Sequence, residues 1–413
     1  MLLGIAELIL LGLLVDWVFR VLKMPGLIGL LLLGVLLGPY ALNQLNPEII
    51  MVSQQLRLLA LIVILLRAGF EISRETLAKV GPRAVMMSFT PCVCEVAFIT
   101  VIGPILLPLS HLEAAMLGSV LGAVSPAVVV PLMIQFIEEG RGTDNGAPTL
   151  VLAGASCDDA VAIVLCTAFV GMYVGQTQNI ALSLARIPVS LMLGIGAGLL
   201  LGLALFWFFK KFNPRATKRM LMLLGIAVLL LNLQDHIDHI IPFSALLTLM
   251  AIGFVILEKD EHMAHEISSK LGKLWIFAQL LLFTLVGAQV NVGVAWQAGL
   301  AGIGIILFGL VGRSIGVQLC LLNSDFTTKE RIFIGVSYLP KATVQAAIGS
   351  LPLFAMAAAG MGTAPGELIL AIAVLSILLT APLGAFLIAG TGRYLLPMST
   401  CLSPATTAAI ESE

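Results

Sequence analysis

The feature that most constrains this chain is a succession of thirteen apolar segments with almost nothing between them. They fall roughly at 2–22, 26–43, 55–72, 82–108, 112–137, 149–175, 180–211, 219–234, 240–257, 267–290, 298–322, 331–356 and 367–390. A helix crosses the hydrocarbon of a bilayer in about 20 apolar residues, and most of these runs reach that length. Only 11% of the residues are charged and 59% are hydrophobic, against about 25% and 45–50% in soluble chains. Such a chain lacks the polar side chains to cover a water-facing surface. That excludes an ordinary soluble enzyme, a nucleic-acid binder and a disordered protein. A net charge of −1 gives no bulk attraction for polyanions. The connections leave no room for a soluble domain, so the helical bundle itself must carry the function. The first apolar stretch has no basic leading region and no small-residue cleavage site, and is expected to remain as a helix. Cys92, Cys94, Cys157, Cys166, Cys320 and Cys401 read as small core residues, because the pair Cys92/Cys94 has no second pair nearby to complete a zinc site.

Lys and Arg set the orientation of such a bundle. Arg20 and Lys23 follow segment 1; Arg74, Lys79 and Arg83 follow segment 3; Arg141 follows segment 5. Lys210, Lys211, Arg215, Lys218 and Arg219 follow segment 7, and Lys259, Lys270 and Lys273 follow segment 9. Lys329 and Arg331 follow segment 11, and Arg393 follows segment 13. These are 17 of the 22 basic residues, all in odd-numbered connections or at the C-terminus. The alternation supports a count of thirteen and places the N-terminus outside and the C-terminus in the cytoplasm. Arg57, Arg67 and Arg186 can reach a helix end or an interface by snorkelling. His111, His236, His239, His262 and His265 fall in or near connections and read as solvated loop residues rather than pH sensors.

Five ionisable residues lie well inside apolar runs: Glu95, Asp158, Asp159, Arg313 and Lys341. A charge at mid-bilayer costs at least about 2.5–3.5 kcal/mol, so each is a functional candidate. Asp158 and Asp159 are neighbours, and neighbours on a helix point about 100° apart. They either line one cavity, or one binds a substrate while the other meets a partner helix. Two close carboxylates in a low dielectric resist joint ionisation, so the site holds a proton or a small cation but not both comfortably. The plainer alternative is a structural pair neutralised by Lys341 or Arg313. Glu95 and Arg313 have opposite signs and similar depths, and read as a buried ion pair locking two helices.

Two segments carry helix breakers at mid-run. Segment 5 contains LGAVSPAVVVP, with Ser125, Pro126 and Pro131; segment 12 contains SYLPKATVQAAIG, with Pro340, Lys341 and Gly349. Both are expected to unwind there, which a membrane tolerates only where protein buries the backbone or it lines a watery cavity. Segments 5 and 12 are seven apart, as are segments 4 and 11, which carry Glu95 and Arg313. An odd shift inverts topology, so the pattern predicts inverted repeats with two crossed discontinuous helices, as in secondary transporters. Ser125 and Thr343 stand beside the breaks, where each could offer an oxygen to a hard cation or bond its own helix backbone.

The runs GAVSPAVVVP, PTLVLAGASCDDAVAI and LPKATVQAAIG resemble the signature segments of the monovalent cation:proton antiporter superfamily, with NHA-type sodium/proton exchangers as the nearest likeness. The resemblance spans about residues 25–392. It implies an all-α polytopic protein of about thirteen transmembrane helices, a homodimer in which helix 2–22 contributes to the interface, and elevator-like alternating access. The ion-transporting core would comprise parts of 55–175 and 267–390, and the dimerisation scaffold parts of 2–43 and 180–257. Asp159 would be the main carrier of proton and cation. Asp158 would be its neighbour, able to pair with Lys341 when no ion is bound, and Na⁺ or Li⁺ would sit on Asp159 and Asp158. Ser125, Thr343 and Lys341 would support them, and Glu95 with Arg313 would match the acidic–basic pair of the NHA-type branch. Two positions depart from the pattern: Ser125 stands where many exchangers have an acid, and Gln289 where some relatives have Glu.

These readings converge on a sodium (or lithium)/proton antiporter, not an enzyme, with no resident cofactor and no nucleic-acid partner, in a bacterial inner membrane. The alternatives are a potassium/proton antiporter of the same superfamily and a sodium-coupled solute symporter. An intramembrane aspartyl protease would need its two aspartates on different helices.

Overall fold

Breaks in the apolar runs, more than the runs themselves, organise the molecule. The structure, a computed structural model, describes residues 2–22, 25–70, 81–175, 180–237 and 243–398. Among them are sixteen helices: α1 (Leu2–Val21), α2 (Gly26–Leu37), α3 (Pro47–Gly69), α4 (Pro82–Leu106), α5 (His111–Leu121), α6 (Pro126–Glu138), α7 (Ala147–Tyr173), α8 (Ile180–Phe212), α9 (Ala216–Ile237), α10 (Ala245–Lys259), α11 (Glu261–Ala288), α12 (Val292–Cys320), α13 (Thr328–Ser337), α14 (Thr343–Ile348), α15 (Leu351–Ala358) and α16 (Ala364–Leu395). Eleven of the expected segments each fall on one helix, α12 with a non-helical kink at Gly299. Segment 5 is two (α5, α6) and segment 12 is three (α13, α14, α15). Among the described residues, eight helices are long and apolar enough to cross a membrane, α5 and α6 being counted together. Lys23, Arg74, Lys79, His239 and Cys401 lie outside the described residues.

Local chemistry explains the boundaries. α2 stops at Leu37, short of the expected residue 43, because Pro39 holds Gly38 in an extended conformation. α5 ends before Gly122, and α6 restarts with Pro126 at its first position, where the missing N–H has no intrahelical acceptor to lose. Pro340 ends the continuation of α13. A second interruption at Gly349–Ser350 precedes Pro352, which opens α15. The first half-helix of each broken segment begins with a capping box, Ser110 with Glu113 and Thr327 with Glu330. The repeat is therefore built with the same local device twice.

Two sets of connections meet at opposite ends. Arg141 donates to the Arg393 carbonyl (3.2 Å), Gly142 N–H to the Pro397 carbonyl (2.8 Å), Arg83 to the Asn323 carbonyl (2.7 Å) and Asn145 to Glu330. All of these are odd-numbered connections or the C-terminal end. Even-numbered connections meet elsewhere: Asn291 with Glu367 (3.3 Å), and Tyr173 with Glu113 (2.7 Å).

α4 packs lengthwise along α12. Small residues permit this approach. A Cβ at Gly316 would fall 2.7 Å from Cα of Pro91, and one at Gly312 2.6 Å from the Phe98 ring. Two apolar clusters stack along these helices. One includes Leu117, Leu121, Ile163, Cys166, Ile305, Val344 and Ile369; the other includes Val129, Phe136, Val151, Val317, Phe333 and Ile388. On α7, α12 and both broken segments, the charged residue or the break falls where one cluster hands over to the other. The polar groups thus occupy a layer between two apolar ones.

Candidate functional site

Unwinding at residues 122–125 exposes backbone groups that must find partners away from water. Each finds one. The Leu121 carbonyl accepts from Lys341 Nζ and from Gln345 Nε2 (3.4 Å). The Gly122 carbonyl accepts from Arg313 Nη1, and the Ala123 carbonyl from Gln345 Nε2 at 2.8 Å. Val124 N–H donates to Asp158 Oδ2 at 2.9 Å, and Ser125 N–H to the Pro340 carbonyl at 2.8 Å. That last bond joins the two breaks directly, so the broken helices cross here. At the second break Arg313 Nε donates to the Tyr338 carbonyl (2.7 Å), and Lys341 N–H to Thr380 Oγ1 (2.9 Å).

The charges follow the helix dipoles. Cations sit on the C-terminal carbonyls of the half-helices α5 and α13, and a carboxylate sits on the N-terminal side of α6. Glu95 bridges both cations, with Arg313 Nη1 at 2.9 Å and Lys341 Nζ at 2.7 Å. Arg313 Nη2 also pairs with Asp158 Oδ2. Glu95, Asp158, Arg313 and Lys341 are all completely buried. The predicted Glu95–Arg313 contact is present. Lys341, however, pairs with Glu95 rather than with Asp158, whose counter-charge is Arg313. The N-terminal repeat supplies every acid of the cluster and the C-terminal repeat every base.

Charge counting isolates one residue. Glu95 and Asp158 balance Arg313 and Lys341. Asp159, 2% exposed, has no ion pair among the described residues, and its Oδ1 has no hydrogen-bond partner. Among the described residues, Ser125 Oγ, Asp158 Oδ1, Thr343 Oγ1 and Gln345 Oε1 of this region are also buried without partners. A buried polar atom left unpaired costs about 1–3 kcal/mol. Hydroxyl, amide and carboxylate oxygens are the donor set of a hard cation. Among the described residues no group of three or more His, Cys, Asp or Glu could hold a metal.

Three participants were missed in the sequence. Gln345 follows Lys341 by one helical turn, and an amide in an apolar run was its only signal. Thr380 accepts at the second break. Arg57 does not snorkel: it is 3% exposed, bonds Ser350 Oγ and the Ser53 carbonyl, and lies over the Phe354 ring at 5.2 Å. Gln289 donates to Ser53 Oγ at 2.7 Å. His111, His236, His262 and His265 are exposed.

Crossed, broken helices enclosing buried charges in an apolar bundle define a secondary transporter. A family model described as "Sodium/hydrogen exchanger, transmembrane" matches residues 8–392, and the chain belongs to that family. Sodium/hydrogen exchanger 9B2 of Homo sapiens is 33% identical over 383 residues, covering 90% of this chain and 70% of that protein. Sodium/hydrogen exchanger 9B1 of Homo sapiens is 31% identical over 353 residues, covering 83% and 67%. Among solved structures, the sodium proton antiporter MjNhaP1 from Methanocaldococcus jannaschii at pH 8 shares the fold, with a TM-score of 0.85 at 21% identity over 95% of this chain and 97% of that one.

Proposed function

We propose that this protein exchanges Na⁺ or Li⁺ for H⁺, one for one, with Asp159 as the carrier. The observation that carries this reading is the uncompensated charge of Asp159 beside a balanced four-residue network. With Asp159 ionised, the buried cluster has a net charge of −1, and an uncompensated charge resists crossing the apolar layer. One proton or one monovalent cation on Asp159 neutralises it, so only a loaded site crosses and the two fluxes are coupled. Asp158, Ser125 and Thr343 are the neighbouring sources of oxygen for the cation. Lys341 rests on Glu95, away from the carrier, so it has no need to release a proton when the ion arrives. The names of the 9B relatives support the sodium/proton assignment.

The movement is of elevator type, with the core (parts of 55–175 and 267–390) travelling against the scaffold (parts of 2–43 and 180–257). The working unit is a homodimer. The odd-numbered, base-rich end faces the cytoplasm of a bacterial cell whose inner membrane holds the protein. The test is pH-gradient dissipation in proteoliposomes with added Na⁺, Li⁺ or K⁺, for the wild type and Asp159→Asn. Responses to Na⁺ and Li⁺ that vanish in the variant are expected, with a reversal potential independent of membrane voltage. A response to K⁺ alone, or coupled exchange retained by Asp159→Asn, would overturn the reading.

A further inference from the structure

Gln345 is completely buried, stands one turn after Lys341 and is neutral. Its amide donates to two carbonyls of the first break, those of Ala123 and Leu121. The Ala123 carbonyl belongs to the same peptide unit as Val124 N–H, which donates to Asp158 Oδ2 at 2.9 Å. In a planar trans peptide the C=O and N–H point in opposite directions. Whatever holds the Ala123 oxygen therefore aims the Val124 hydrogen. The structure assigns Gln345 as a positioning residue: by holding the Ala123–Val124 peptide it keeps the Val124 N–H on Asp158, so that the carboxylate pair presents one fixed arrangement to the cation.

The alternatives for this side chain differ in chemistry. A glutamine that merely fills space has no need of its donors. A glutamine that ligates the cation would act through Oε1, which has no partner among the described residues. Yet the bonded peptide stands between Gln345 and Asp158, placing the amide across the backbone from that carboxylate. The donors are what the geometry uses. Lys341 already caps the Leu121 carbonyl, whereas among the described residues no other group is found on the Ala123 carbonyl.

Two isosteres separate these roles. Gln345→Met keeps the volume and removes the donors. Gln345→Glu keeps the volume and puts acceptors against two carbonyl oxygens, driving the peptide away. Positioning predicts the affinity order wild type, then Met, then Glu. The half-saturating Na⁺ concentration is expected to rise about tenfold in Gln345→Met and further in Gln345→Glu, with maximal rates within about twofold of wild type in Gln345→Met. Hydrogen–deuterium exchange at residues 122–126 should quicken in both variants while α7 and α12 keep their protection.

Unchanged Na⁺ affinity in Gln345→Met would reduce the residue to a filler and overturn the assignment. Tighter Na⁺ binding in Gln345→Glu than in Gln345→Met would make it a direct ligand and overturn it too. The inference rests on the exchange reading for its affinity arm only. If wild-type protein exchanged no cation, that reading would fall, while hydrogen exchange at 122–126 would still decide for or against positioning. Should Gln345→Met not fold, Gln345→Asn, whose amide is one methylene short of the carbonyls, carries the same exchange measurement.

Discussion

Two arginines are buried in the same bundle in opposite surroundings. Arg313 touches two carboxylates and the carbonyls of both breaks, each from a different element. Arg57 touches a serine hydroxyl, a carbonyl one turn away on its own helix and an aromatic face, with no carboxylate partner among the described residues. Burial is nearly identical, so burial alone does not mark a working charge. What differs is how many separate elements converge on it. Arg313 fastens α4, α5, α7 and α13 to α12 and satisfies two helix ends that the breaks leave open. Arg57 joins α3 to the junction between α14 and α15 by neutral contacts.

The largest effect is expected from Arg313→Met. It strands Asp158 without its counter-charge, leaves Glu95 with Lys341 alone, and uncaps the Gly122 and Tyr338 carbonyls. Removing one partner of a buried pair costs about 3–5 kcal/mol, and thermal unfolding of the detergent-purified protein should register a loss of that order. A loss below about 1 kcal/mol would mean that water or another group replaces it and that the network does not hold the crossing. Lys341→Met should be milder. Glu95 keeps Arg313, and the Leu121 carbonyl keeps Gln345, so the loss is nearer the about 1.5–3 kcal/mol of a single charged hydrogen bond. Because the proposed carrier is Asp159, Lys341→Met should retain one-for-one exchange at a reduced rate. A change in the ion ratio, read from reversal potentials, would make Lys341 part of the proton cycle and weaken the comparison.

Much of this was legible in the residues. The breaks at Ser125–Pro126 and Pro340 could be read because proline removes a donor wherever it stands. The Glu95–Arg313 contact could be read because opposite charges at equal depth in an apolar layer have few other places to go. Gly349 was read with Pro340 as part of one break; that it opens a second interruption of its own at Gly349–Ser350 was not legible, since a glycine followed by serine inside a helix pattern is weak unless Pro352 is weighed with it. The partner of Lys341 was not legible either. Three acids and two bases admit several pairings, and only the positions of α4 and α12, brought together at Gly312 and Gly316, select Glu95. Gln345 was invisible for a different reason: its role is to bond backbone carbonyls, and no sequence pattern records which carbonyls a fold leaves open. Arg57 sits near enough to a helix end to be excused as a snorkelling residue, and the packing of α3 against the second broken segment removes that exit.

Arg57→Met gives the smallest expected effect and the sharpest contrast. A buried cation among neutral groups has borne its desolvation without an opposite charge in return, so an apolar chain of similar volume relieves that penalty. Against this stand the lost bond to Ser350 and the contact with Phe354, the latter about 0.5–2 kcal/mol. The terms oppose one another, and the net change in stability should lie within about 1 kcal/mol of zero, measured in the same thermal assay as Arg313→Met. A loss as large as that of Arg313→Met would show that α3 and the α14–α15 junction depend on a charge after all, and that an anionic partner of Arg57 lies outside the described residues. A small or favourable change, set against the large loss at Arg313, would separate the two arginines by their partners alone, since depth and identity are matched.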